Sequence, residues 1–161
     1  MPTHVYWGEV EADWAGFSAE RPVTLPTIAQ PVPVFLGDEL DEDGEEIETP
    51  PTTADLDRYA ATLQAFLADA PRLLAEFQQQ AFARYQELYA HYYDDPVQSG
   101  EPALHLTAAR HAAYVQDMSL LRVSAGEVVR LVVQYDLDTE HGLEARFVAN
   151  RLEELAGIAE T

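Results

Sequence analysis

Five residues in a nine-residue window, Asp136, Asp138, Glu140, His141 and Glu144, form the only dense cluster of side chains in this sequence that could do chemistry. Four carboxylates offer hard oxygen donors of the kind Mg²⁺ or Mn²⁺ takes, and His141 with Asp138 and Glu140 offers a mixed set suited to a divalent transition metal. A metal held there would position and acidify a water, which is the chemistry of a metal-dependent hydrolase. The competing reading is structural. Asp138 fixes a turn through its own backbone, Gly142 takes a left-handed conformation, and His141 hydrogen-bonds across the mouth of a hairpin. One acidic hairpin without histidines at zinc spacing is a weak metal signature. No residue is assigned as catalytic and no cofactor is required; a divalent metal at Asp138, Glu140 and His141 is the alternative.

These residues sit at the end of the longest alternating run in the chain. In Glu127 to Leu137, Val129, Leu131, Val133 and Tyr135 face one way while Arg130 and Gln134 face the other, as in a strand with one face on a core. Strand geometry then puts Asp136 and Asp138 on a common face. Ser119 to Ala125 pairs with this run through a turn at Ala125-Gly126, Leu143, Ala145 and Phe147 continue the buried face, Asn150-Arg151 marks another reversal, and LEEL fits either a short strand or a helical turn.

Upstream, Thr52 or Thr53 can cap a helix with Leu56, Tyr59, Leu63, Phe66 and Leu67 on one stripe. Pro71 starts a second helix that runs to about Tyr93, with Leu74, Phe77, Ala81, Tyr85, Leu88 and Tyr92 as its apolar stripe. The tyrosines at its end, Tyr89, Tyr92 and Tyr93, make either a core edge or a partner surface. Thr107 caps a further helix, Ala108 to Met118; His105 and His111, six apart, share no helical face and read as surface or satisfied histidines.

The N-terminal third supplies strands at His4 to Glu11, Arg21 to Leu25 and Gln30 to Leu36. Pro31 and Pro33 place the last of these at a sheet edge, or leave it paired on one side only, because proline gives no N–H to a ladder. Trp7 and Trp14 are expected to be buried, or partly buried, against helices rather than to serve a ligand. Eight of the eleven residues from Asp38 to Glu48 are acidic. A calcium loop fails there at both ends, since its first ligand would be Glu39 and its last would fall on Pro50. The segment reads as a solvated loop over residues 38–51.

The expected fold is α+β: an antiparallel sheet from N- and C-terminal strands, packed against a long central helical pair. At 161 residues one domain is expected over 1–161, able to bury about 68–70% of its unfolded surface without metal or disulfide. Cysteine is absent, which removes thiol chemistry. MPTHVYWGEVEADW carries no basic leader with an apolar core, and no stretch reaches the ~18–20 apolar residues of a membrane span, so the expectation is a cytoplasmic protein with no membrane contact.

Net charge is −20, from 29 acidic residues against nine basic ones, all arginine. Such a surface repels nucleic acid and attracts a basic protein. Solubility alone is the plainer explanation of the same charge. The two functional classes that emerge are a non-enzymatic acidic protein-binding module and the metal-dependent hydrolase or metal-binding protein described above.

YDLDTEHGLEARF resembles the D-x-E-H-G-L hairpin of a group of bacterial families of unknown function. The likeness extends more weakly to PVFLGDE, the acidic break with its prolines, and ADLDRYAATLQAFLADAPRLLAEF. Only Glu140-His141-Gly142-Leu143 is specific, and Tyr135-Asp136 stands where those families often carry a tryptophan. Some of these families are associated by neighbourhood with immunity proteins of contact-dependent toxin systems, so the resemblance implies an immunity-type inhibitor and no catalytic role.

Overall fold

The computed structural model describes residues 2–161. It joins eight strands into one sheet in chain order: β1 (Thr3–His4), β2 (Gly8–Asp13), β3 (Gly16–Ala19), β4 (Val34–Leu36), β5 (Met118–Ser124), β6 (Val128–Val133), β7 (Leu143–Val148) and β8 (Arg151–Ala156). Every neighbouring pair is antiparallel except β4 and β5, which run parallel. Parallel neighbours need a long crossover, and this one contains all five helices. They are α1 (Thr53–Ala68), α2 (Ala70–Leu88), α3 (Ala90–Tyr93), α4 (Pro96–Ser99) and α5 (Ala108–His111). The fold is therefore mixed α and β with a mostly antiparallel sheet.

Local chemistry sets the long helices. Thr52 and Asp55 form a reciprocal capping box at the start of α1, and Pro71 occupies the first turn of α2, where its missing N–H would be unpaired anyway. The N-terminal segment is tied to α1 by two contacts: the buried Trp7 indole donates to the Leu56 carbonyl at 3.0 Å, and the His4 ring meets the exposed Asp57 carboxylate at 2.7 Å. At the opposite edge, Asn150 donates to the Ala65 carbonyl and Arg72 to the Asn150 carbonyl. Phe66 packs edge-on against Phe147 at 5.2 Å.

Several expectations need correction. The proline-containing segment is not an edge: β4 lies between β3 and β5, because Pro31 and Pro33 precede it and a proline still offers its carbonyl, which at Pro33 accepts from the Leu121 N–H at 2.9 Å. Arg21 to Leu25 contributes only a single bridge, Val23 with Val32, and Gly16–Ala19 takes the strand position instead. The run from Glu127 stops pairing at Val133, so Tyr135 to Leu137 belongs to the following turn. The second helix breaks at Tyr89, where Leu88 and Tyr92 become exposed. The Ala108 helix lasts one turn before a 3-10 turn, Ala112–Val115, and Met118 already belongs to β5. LEEL is strand, within β8.

The two faces of the sheet differ. Leu121, Val123, Val129, Leu131, Val133, Leu143, Ala145 and Phe147 share the main core with α1 and α2. The opposite face holds a small cluster, Ala15, Phe35 and Leu120 with Val132 beside it. Across that face runs a row in register: Arg122 opposite Arg130, Arg130 opposite Arg146, and Arg146 opposite Glu154. Like charges directly opposite one another are destabilising. Here each has its own acceptors: Arg122 donates to the Gly37 and Ala15 carbonyls at 2.8 and 2.6 Å, Arg130 to the Ser124 hydroxyl and Thr161 carbonyl, and Arg146 to Glu154 at 3.3 Å.

Candidate functional site

The segment from Tyr135 to Gly142 is a turn clamped from below. Asp138 donates its N–H to the Tyr135 carbonyl, and Gly142 donates its own to the Asp138 carbonyl at 2.8 Å. Gly142 has φ +65°, so the backbone conformation favours glycine, and a methyl added there would have to displace the end of the exposed Ile158 side chain, 2.3 Å away.

The Asp138 carboxylate is the hub. It accepts from the Tyr89 hydroxyl at 2.5 Å, from the His141 backbone N–H at 3.1 Å, and meets the His141 Nδ1 at 3.0 Å. Tyr93 donates to the Leu137 carbonyl, and Arg84 stacks over Tyr89 while donating to its hydroxyl. The tyrosine end of α2 and α3 and the acidic turn, separate candidates in the sequence, are thus one contact. Of the three tyrosines read as a partner surface, Tyr89 and Tyr93 are half-buried in this contact and only Tyr92 is exposed.

Burial pushes the Asp138 carboxyl up, but the hydrogen bonds from Tyr89 and His141 outweigh it and hold the group below the usual carboxylate range. Its partner moves the other way: the bond to Asp138 first, and then its charge, raise His141. An imidazole fixed at Nδ1 by a carboxylate and open to solvent at Nε2 could shuttle a proton. The cleft of about 230 Å³ beside Trp14 and the one of about 400 Å³ between α1 and the β5–β6 turn are lined by other residues.

The metal triad does not assemble. Glu140 and Asp136 are exposed, Glu144 is buried and accepts from the Thr161 hydroxyl, and both Asp138 oxygens are already engaged. Among the described residues no three His, Asp or Glu side chains converge in a way that could hold a metal ion. Asp136 and Asp138 do not share a strand face either, since β6 has ended before them.

Two features were beyond sequence reasoning. His111 is fully buried, with its Nε2 2.7 Å from the Tyr135 hydroxyl, its Nδ1 unpaired, and the Tyr85 ring 5.1 Å away. Burial lowers its pKa from 6.5 to about 4. Trp14, expected to be buried or partly buried against a helix, is 68% exposed at the β2–β3 turn, resting edge-on against Phe35 at 5.2 Å. Neither leaves a local signature, because a six-residue His spacing and an aromatic beside a strand say nothing of what packs above them. No family model matches this chain, and neither a curated protein nor a solved structure does. Among the described residues no helix is long and apolar enough to cross a membrane.

Proposed function

We infer that this chain is a non-enzymatic acidic binding module whose partner is a basic protein, acting as an immunity-type inhibitor acts, by occupying the partner's cationic surface. The distribution of charge carries the inference. Only nine arginines stand against 29 acids, and three of the nine are consumed in the cross-strand row of Arg122, Arg130 and Arg146. Arg58 and Arg72 pair with acids on their own helices. What remains for a partner is overwhelmingly carboxylate, and such a surface steers and orients a cationic partner. The metal-dependent alternative retains only the Asp138–His141 pair in its favour, and that pair is already satisfied internally.

Capture on the immobilised protein at low ionic strength tests the inference, followed by titration of the purified partner at rising salt. The expected result is a stoichiometric partner with a basic surface, whose affinity falls steeply as the Debye length shrinks to about 8 Å at physiological ionic strength. A partner insensitive to salt, or none, would remove the basis for the proposal.

A further inference from the structure

The basic-partner reading does not say where the partner is gripped, and uniform acidity would not choose a place. One cleft differs from the rest of the acidic surface. It lies between the β2–β3 turn and the hairpin formed by the acidic segment, has a volume of about 230 Å³, and is lined by Asp13, Trp14, Glu39, Glu46, Ile47 and Glu48, among others.

Both walls are ordered. The acidic segment is not a loose loop: Leu40 bridges Glu46, Ile47 donates to the Glu39 carbonyl at 3.0 Å, and the Asp41 carboxylate accepts the N–H groups of Asp43 and Glu45. The opposite wall is the turn that presents Trp14. Arg122 joins them from beneath, donating one guanidinium nitrogen to Ala15 in the first wall and another to Gly37 at the root of the second. Its guanidinium lies 5.4 Å from the Phe35 ring centre, and Phe35 supports the Trp14 edge. A buried cation therefore sets the spacing of an anionic cleft, one wall of which carries an indole left largely in solvent.

An indole face attracts guanidinium more strongly than other aromatic rings do, and tryptophan and arginine are the residues that most often anchor interfaces. Carboxylates around the indole supply the complementary charge, and the planar guanidinium both stacks and pairs with them, which an ammonium cannot do. We propose that this cleft receives an arginine side chain of the basic partner, stacked on Trp14 and paired with Glu46 and Glu48, the Glu39 carboxylate being already 4.0 Å from the Arg122 guanidinium. The proposal rests on the basic-partner reading above and adds the contact point and the side chain it selects.

A hexa-arginine peptide titrated into the full chain at about 10 mM salt, where the Debye length is about 30 Å, provides the probe, with the two indole N–H resonances as reporters. Trp7 is buried and bonded to Leu56, so it serves as the internal reference. The expected result is a shift of the Trp14 resonance alone. Affinity should fall about two- to fivefold in Trp14→Ala, the range of one exposed cation–π contact. It should fall about fivefold when Glu46 and Glu48 are both changed to Gln, as two weak exposed ion pairs together predict. Changing two exposed acids elsewhere, Glu87 and Glu101, to Gln removes the same charge and should cost clearly less affinity than the cleft variant, because only long-range attraction is lost. Equal losses in the two double variants, or a hexalysine peptide binding as tightly as hexa-arginine, would overturn the cleft while leaving an acidic module that binds by net charge. Absence of binding by either peptide would overturn both.

Discussion

Lowering the pH from 7 to 5 should remove about 2 kcal/mol of stability through one side chain, His111. The ring is fully buried among Phe82, Tyr85, Tyr114 and Tyr135, with no carboxylate among its ring contacts to stabilise a positive charge. Its pKa falls from 6.5 to about 4. The unfolded chain therefore binds a proton between those values and the folded chain does not. Stability is full above 6.5 and declines as the pH falls through the window towards 4, with a total loss of about 3.4 kcal/mol at 1.36 kcal/mol per tenfold change in proton concentration. For a chain of this length, a 2 kcal/mol loss lowers the melting temperature by about 4–8 °C.

The carboxylates oppose this change. A chain of charge −20 repels itself, and protonating its acids on the way to pH 5 relieves that repulsion. The measurement is therefore a difference between two proteins. His111→Phe alone would strand the hydroxyl of Tyr135, a residue 2% exposed, whereas the double variant His111→Phe/Tyr135→Phe removes both partners of the bond and stays close in shape. Thermal melts of wild type and double variant from pH 7 to 5 should diverge, the wild type losing ground. Parallel curves, or an NMR titration placing His111 near 6.5, would refute the assignment.

Other perturbations have separate outcomes. Tyr89→Phe removes the hydroxyl that holds Asp138 and should destabilise by about 1.5–3 kcal/mol, the range for a hydrogen bond to a charged group, measured by urea unfolding. Gly142→Ala forces a methyl into a φ of +65° against Ile158 and should cost about 1–3 kcal/mol, with Ile158→Ala in the same chain recovering the steric part only. Arg122→Leu leaves the Ala15 and Gly37 carbonyls without their donor; a loss on the order of 3 kcal/mol in urea unfolding is expected. Melts with EDTA and then with Mg²⁺, Mn²⁺, Zn²⁺ or Ca²⁺ should superimpose, whereas an ion bound at a hundred times its dissociation constant would add about 2.7 kcal/mol and revive the metal reading.

Sequence alone determined what depends on neighbours along the chain. Apolar spacing in α1, its capping threonine, the proline opening α2 and the alternation of Val129, Leu131 and Val133 are local signals, and each element formed where they fall. The charge imbalance was likewise complete in the composition. Only the tertiary structure decided what depends on contacts across many residues. β4 became central because α1 to α5 carry the chain over to a parallel partner, so two prolines that argued for an edge merely precede the strand. Asp138 met Tyr89 across 49 positions, turning the most reactive-looking cluster into the clasp of a turn. Arg122 reached carbonyls 107 and 85 positions away, and by doing so placed Trp14 beside an acidic wall rather than in the core. Periodicity reports which face of an element is apolar; it cannot report which distant segment will cover that face or leave it open.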